Sequence, residues 1–333
     1  MRALGEPTCR VLLVSVLVAC SGKSTEPKKV PKDAAVARVE KELPGSGIVH
    51  FEEPKIELPK QESFELLDPG TGDRAPLRYE LTAASLTYPI TTRLRSRQLA
   101  NGTWGKPVDM PEISDGFTIS VAEPGNVAEP GKPLAMRALA GTVAKPSREA
   151  EAYLATWRTI EKRVISVKLD ARGQVGGVTF ADDPDNKTSQ RARDELYSRL
   201  LALAIPLPEE PVGTGAKWRV ATVLRQHPAI VKQVATYTLV SRTGSKWKVA
   251  VEIQRHGEEQ TVFDAALPKG AVATIVALLR KLDGTLELDA TQPLPTGKLA
   301  VTSTLHVRIA LPNTKVSEQI FDDTGTIAFS VKR

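Results

Sequence analysis

The stretch Lys246-Trp247-Lys248-Val249-Ala250-Val251-Glu252-Ile253-Gln254 decides the fold, because its side chains alternate. Trp247, Val249, Val251 and Ile253 fall on one parity, with Lys246, Lys248, Ala250, Glu252 and Gln254 on the other. A period of two places these sets on opposite faces of a strand, the pattern of an antiparallel sheet with one buried side. The preceding run Lys232–Val240 joins it through Ser241-Arg242-Thr243-Gly244-Ser245, a composition that suits a hairpin turn. Further on, Leu299, Val301, Ser303, Leu305, Val307, Ile309 and Leu311 share a face, opposed by Thr302, Thr304, His306 and Arg308. Ile327, Phe329 and Val331 close the chain as a strand, and Asp322-Asp323-Thr324-Gly325 before them reads as a hairpin turn.

Towards the N-terminus the same alternation recurs. Leu77, Tyr79, Leu81 and Ala83 share one face, and Phe117, Ile119 and Val121 repeat the pattern after the turn signal Ser114-Asp115-Gly116. Ala122 to Pro133, with Glu123-Pro124-Gly125 and Glu129-Pro130-Gly131, reads as turns or a surface loop; Leu134, Met136 and Ala138 begin another strand. Two helices interrupt the strands. Ser147 to Ile160 has Ser147 as N-cap, and Lys187 to Ala204 carries Ala192, Leu196, Leu200 and Leu203 at helical spacing before Pro206 and Pro208 stop it. Between them Ile165, Val167 and Leu169, the turn Asp170-Ala171-Arg172-Gly173 and the return from Val175 make a hairpin. Residues 271–282 are ambiguous. Val272, Ile275, Val276 and Leu279 favour a helix closed by Gly284 over a long buried strand.

The extreme N-terminus carries a different message. Arg2 and Arg10 precede the uncharged run Val11–Ala19, whose nine residues suit a signal core and fall well short of a spanning helix. Leu17-Val18-Ala19-Cys20 resembles the bacterial lipobox, which implies cleavage before Cys20 and lipid on its sulfur. Residues 1–19 are then a signal peptide, and Ser21 after the cysteine favours the outer membrane of a Gram-negative envelope over inner-membrane retention. Cys9 and Cys20 are the chain's two cysteines, so the mature body holds no disulfide and depends on its core. Loss of Arg2, Arg10 and Glu6 lowers the net charge from +6 to +5, and no dense basic cluster supports nucleic-acid binding. Residues 20–63 form a Pro-spaced, charged tether that cannot bury enough apolar surface to order itself. Its membrane-near half, Cys20–Lys41, has six basic and three acidic side chains, whereas Glu42–Ser63 has two and five. Residues 64–333 are the β-rich body, as one unit or as two halves with a break near 206–215.

Catalytic and metal-binding signals are missing from the pattern. His50, His227, His256 and His306 show neither HxxxH nor HExxH spacing, and no GxSxG elbow is present. The acidic run Asp182-Asp183-Pro184-Asp185-Asn186 departs from a calcium loop, with Lys187 at a ligand position, and reads as a helix-capping hairpin exit. No cofactor is called for, and the expectation is a non-enzymatic protein.

The most distinctive segment is Leu207-Pro208-Glu209-Glu210-Pro211-Val212-Gly213-Thr214-Gly215-Ala216-Lys217-Trp218, an entry turn into a strand. With Ala235-Thr236-Tyr237-Thr238-Leu239-Val240 and the Gly244 turn, it resembles an uncharacterised family of bacterial surface lipoproteins. That family looks related in architecture to lipoprotein carriers of the LolA/LppX type. The resemblance spans Asp170 to Pro295 and implies an α+β, β-rich fold. In it a curved antiparallel sheet, a half-barrel, would carry one to three packed helices around an apolar cavity. Trp218, Tyr237, Trp247 and Val249 would line that cavity, and plain core packing is their other reading. The same elements also build a β-sandwich with peripheral helices. Three functions follow as expectations. The first is a membrane-anchored lipoprotein that binds a lipid or other apolar ligand. The second is a structural or assembly lipoprotein that binds envelope proteins, and the third a hydrolase with a site assembled from distant residues.

Overall fold

The structure is a computed structural model, and it describes residues 63–82, 84–100, 102–121, 133–161, 163–180, 190–226, 229–262, 271–310 and 316–332. The signal peptide, Cys20, the tether up to residue 62, residues 122–132, the acidic run 182–186, His50 and His227 lie outside the described residues.

The first strands are β1 (Ser63–Asp68), β2 (Thr71–Ala75), β3 (Ala84–Ala100), β4 (Thr103–Trp104), β5 (Val108–Asp109) and β6 (Ile113–Val121). The middle of the chain gives β7 (Pro133–Ala138), β8 (Thr142–Val143), α1 (Arg148–Glu161), β9 (Ile165–Leu169), β10 (Val175–Phe180) and α2 (Gln190–Leu203). There follow β11 (Val212–Thr214), β12 (Lys217–Gln226), β13 (Ala229–Thr243), β14 (Lys246–Gly257) and β15 (Gln260–Val262). Three long strands end the chain: β16 (Val272–Asp289), β17 (Thr296–Ala310) and β18 (Ser317–Phe329).

Sixteen of these strands form one antiparallel sheet in the order β1-β12-β13-β14-β16-β17-β18-β3-β6-β7-β9-β10, with β4, β5, β8 and β15 beside it; β11 and β2 pair separately. The path begins at β1 and ends at β10, so the sheet is open, and it is neither closed nor strongly curled. The expected half-barrel is therefore wrong, and one continuous sheet replaces the alternative sandwich. Alternation dictates which side chains share a face. It says little about how far a sheet bends, which depends on twist and bulges along each ladder.

The helical reading of 271–282 is also overturned, because β16 runs through it. A bulge between Ile275 and Ala277 shifts the parity: Ala273 and Ile275 are buried before it, Leu278 and Leu282 after it. The extra residue breaks period two and imitates helical spacing. Asp322–Gly325 is no turn but the middle of β18. A Cβ on Gly325 would lie 2.0 Å from the Arg93 carbonyl oxygen, so the glycine permits a close strand approach. Ser114-Asp115-Gly116 likewise sits inside β6, where Gly116 has φ +137° and a Cβ would meet the Tyr88 carbonyl oxygen at 2.1 Å. Leu77, Tyr79 and Leu81 are buried as expected, yet they form no ladder strand; Tyr79 donates its backbone N–H to the Ala171 carbonyl.

Other local readings hold. The Ser147 Oγ accepts the Ala150 N–H at 3.1 Å and caps α1. The Asp170 Oδ1 accepts the N–H groups of Arg172 and Gln174 at 2.9 and 2.8 Å, and Gly173 has φ +74°, so this carboxylate shapes the β9–β10 turn. Both helices pack on the inner face of the sheet through Leu154, Trp157, Ile160, Leu196, Leu200 and Leu203. The Trp157 indole N–H donates to the Leu139 carbonyl at 2.7 Å, so its ring enters the core with its polar atom satisfied.

Candidate ligand-binding face

The four side chains expected to line a cavity lie in the packed core. Trp218 stacks on Tyr237 at 5.6 Å between ring centroids, and its indole N–H donates to the Pro206 carbonyl at 2.7 Å. Trp247 donates to the Gly244 carbonyl at 3.1 Å, and Val249 is wholly buried. Burial also pushes the Tyr79 and Tyr237 phenols well above their ordinary range, which keeps both neutral. An apolar void between Ile119, Met136, Leu200 and Leu294 measures about 10 Å³. That is room for roughly one water, and for no acyl chain.

The inner face is not apolar along its whole length. One residue from each of six neighbouring strands forms a polar seam: Gln233, Arg255, Arg280, Ser303, Asp323 and Ser96. Each is the direct cross-strand partner of the next, so the seam crosses the sheet from β13 to β3. On one side lies the main core, with Ala235, Ile253, Leu282 and Val301. On the other lies a smaller core of Val231, Leu278, Leu305 and Phe321, with Ile275 and Val307 behind them. Arg255 is fastened there: its Nε donates to Gln233 Oε1 at 2.8 Å, and its Nη atoms donate to the Ser198 Oγ and carbonyl at 3.1 and 3.0 Å. The seam thereby ties α2 to the sheet. Burial raises the carboxyl pKa of Asp323, against the opposing pull of the Ser96 hydrogen bond and the Arg280 charge, and its Oδ1 has no hydrogen-bond partner among the described residues.

Behind the seam, on the solvent face of the same strands, the structure opens a trough of about 590 Å³. Two adjacent cross-strand rows line it. One is Gln254, Lys281, Thr302, Thr324 and Arg95; the other includes Leu279, Thr304, Asp322 and Arg97. The shape follows from side-chain length. The short threonines of β17 and β18 make the floor, while Lys281 of β16 and the arginines of β3 make the walls. These walls stand three strand spacings apart, roughly 14 Å between backbones. Lys281, Arg95 and Arg97 are 47%, 60% and 48% exposed. Asp322 is held in place by Arg97 at 2.8 Å and by the Thr304 hydroxyl at 2.8 Å. Arg97 in turn lies 4.2 Å over the ring of Trp104, an exposed aromatic beyond the trough's rim.

Other candidates are not brought together. His306 sits half-buried on β17, its Nε2 3.9 Å from Glu318, and burial lowers its pKa. Among the described residues, no group of three or more His, Cys, Asp or Glu side chains could hold a metal ion. No helix among them is long and apolar enough to cross a membrane. The trough had a sequence signal that the alternation reading passed over: Arg93, Arg95 and Arg97 at every second position put three guanidinium groups on one strand face. Comparison with protein-family models gives no match, and comparison with curated proteins gives none either.

Proposed function

We propose that this chain is a lipid-anchored protein of the bacterial envelope, held at the outer membrane through Cys20, and that it acts by binding rather than by catalysis. The observation that carries the binding reading is the contrast between the two faces of one sheet. The interior is filled at every position expected to line a cavity, whereas the solvent face holds a 590 Å³ trough with charged walls. Ligand sites are concave, with a small number of convergent polar groups, and the trough meets that description at the surface. The sequence supports the anchor: an uncharged core of signal length ends in Leu17-Val18-Ala19-Cys20. Metabolic labelling with a radioactive fatty acid tests it in cells that express the full chain. Label on the wild-type protein, lost in Cys20→Ala, is the expected result, and an unlabelled wild-type chain would defeat the anchor.

A second reading draws on the rim. Trp104 and Val108 are 37% and 48% exposed on the β4–β5 segment, beside Arg97. Tryptophan and arginine are enriched at the centres of protein interfaces, so this rim supports an assembly lipoprotein that docks an envelope protein. Site-specific photo-crosslinking from position 104 in intact cells separates the readings: a discrete protein adduct favours docking.

A further inference from the structure

We propose that the trough binds a phosphate-bearing ligand, an inference that rests on the binding reading above. On the solvent face the lining carries three cations, Arg95, Arg97 and Lys281, against one carboxylate, Asp322. That acid is occupied with structure, fixed between Arg97 and Thr304. These cations lie on both sides of the floor, Lys281 on one wall and Arg95 and Arg97 on the other.

The existing partners of Arg95 and Lys281 are weak. Arg95 reaches Asp109 at 3.5 Å, and Lys281 reaches Glu252 at 3.3 Å and Asp283 at 4.0 Å, all five side chains being 45% exposed or more. Exposed pairs of this kind contribute about 1 kcal/mol or less, so a phosphate can replace them. A guanidinium presents a planar fork of donors that matches phosphate oxygens, and a flexible lysine supplies a point charge from the other wall. The hydroxyls of Thr302 and Thr324 on the floor add donors without bulk. This chemistry fits the phosphate of a lipid headgroup or of a free phosphorylated saccharide.

The test uses the full chain carrying Cys20→Ala, so that no lipid anchor contributes to membrane binding. Flotation with vesicles of phosphatidylglycerol in phosphatidylcholine, with pure phosphatidylcholine as blank, measures headgroup binding. Displacement by glycerol 3-phosphate measures binding of the free group. The proposal expects binding in at least one arm, lowered tenfold or more by Arg95→Gln, Arg97→Gln and Lys281→Gln together. Removal of an equal charge from the same face by Lys246→Gln, Lys248→Gln and Lys298→Gln, all exposed and outside the trough, should change it less than twofold. Thr302→Leu with Thr324→Leu fills the floor at unchanged charge and should also weaken binding, with the thermal midpoint showing that the variants fold. Equal losses from the two charge triplets would reduce the effect to general surface electrostatics and overturn the proposal. No binding in either arm would overturn it too, while fatty-acid labelling at Cys20 would stand independently.

Discussion

The inner and outer faces of β14, β16, β17 and β18 share every backbone hydrogen bond of their ladders and almost nothing else. Inside, Val251, Leu282, Val301 and Leu299 are buried in the main core. Outside, the intervening residues Gln254, Lys281, Thr302 and Thr324 face solvent and line a trough. One chain direction thus serves two purposes in alternate residues. Side chains that hold the protein together are one step in sequence from side chains that face solvent, and the two sets can be altered separately.

Four perturbations probe that separation, from the largest effect to the smallest. Trp218→Ala removes a fully buried ring, its stack on Tyr237 and its bond to Pro206. It should destabilise the fold by about 3–5 kcal/mol in urea unfolding, the range for large-to-small core changes. A loss below 1 kcal/mol would mean that the inner face is not packed as described. Arg255→Met keeps volume but leaves Gln233 and Ser198 without their donor, so a loss of about 1–3 kcal/mol is expected in the same assay.

The third perturbation is pH. Asp323 holds its proton more tightly in the folded chain than its ordinary value of 3.8, because burial disfavours the charge. Its contribution to stability is therefore complete below that value and is lost as pH rises through the folded one. Asp323→Asn should lack that loss. The difference in urea midpoint between variant and wild type should move in the variant's favour as pH is raised from 3.8, and a constant difference would rule the account out. The mildest change is Thr302→Val on the outer face, expected to shift stability by about 0.5 kcal/mol or less. A larger loss would show that the trough floor bears on folding.

Much of the sheet was legible because alternation needs only local sequence. β13, β14, β17 and the β9–β10 hairpin follow from residues such as Trp247, Val249, Ile165 and Val167, and α1 from its Ser147 cap. What escaped depended on distant neighbours. Gly325 reads as a turn until β3 is seen to approach it from the other side. The bulge at Ile275 disguised a strand as a helix, since one extra residue in a period-two pattern leaves spacings that suit a helix. The trough gathers residues from β3, β14, β16, β17 and β18, separated by more than two hundred positions, and only the strand order places Arg95 opposite Lys281. Burial of Trp218 and Tyr237 was readable; whether they faced a void or each other was not, because filling depends on both helices.

The seam gives the long strands a property that neither core has alone. β13, β16 and β17 pass from the main core to the smaller one without a break, yet a row of polar side chains lies between the two cores. Cooperativity travels along the backbone ladders, while in the packing the seam parts the two cores and Leu201 of α2 touches both. The far end, from Val231 to Phe321, can then open while the helix-covered end stays shut, and amide hydrogens there should exchange through partial unfolding well before those around Val249.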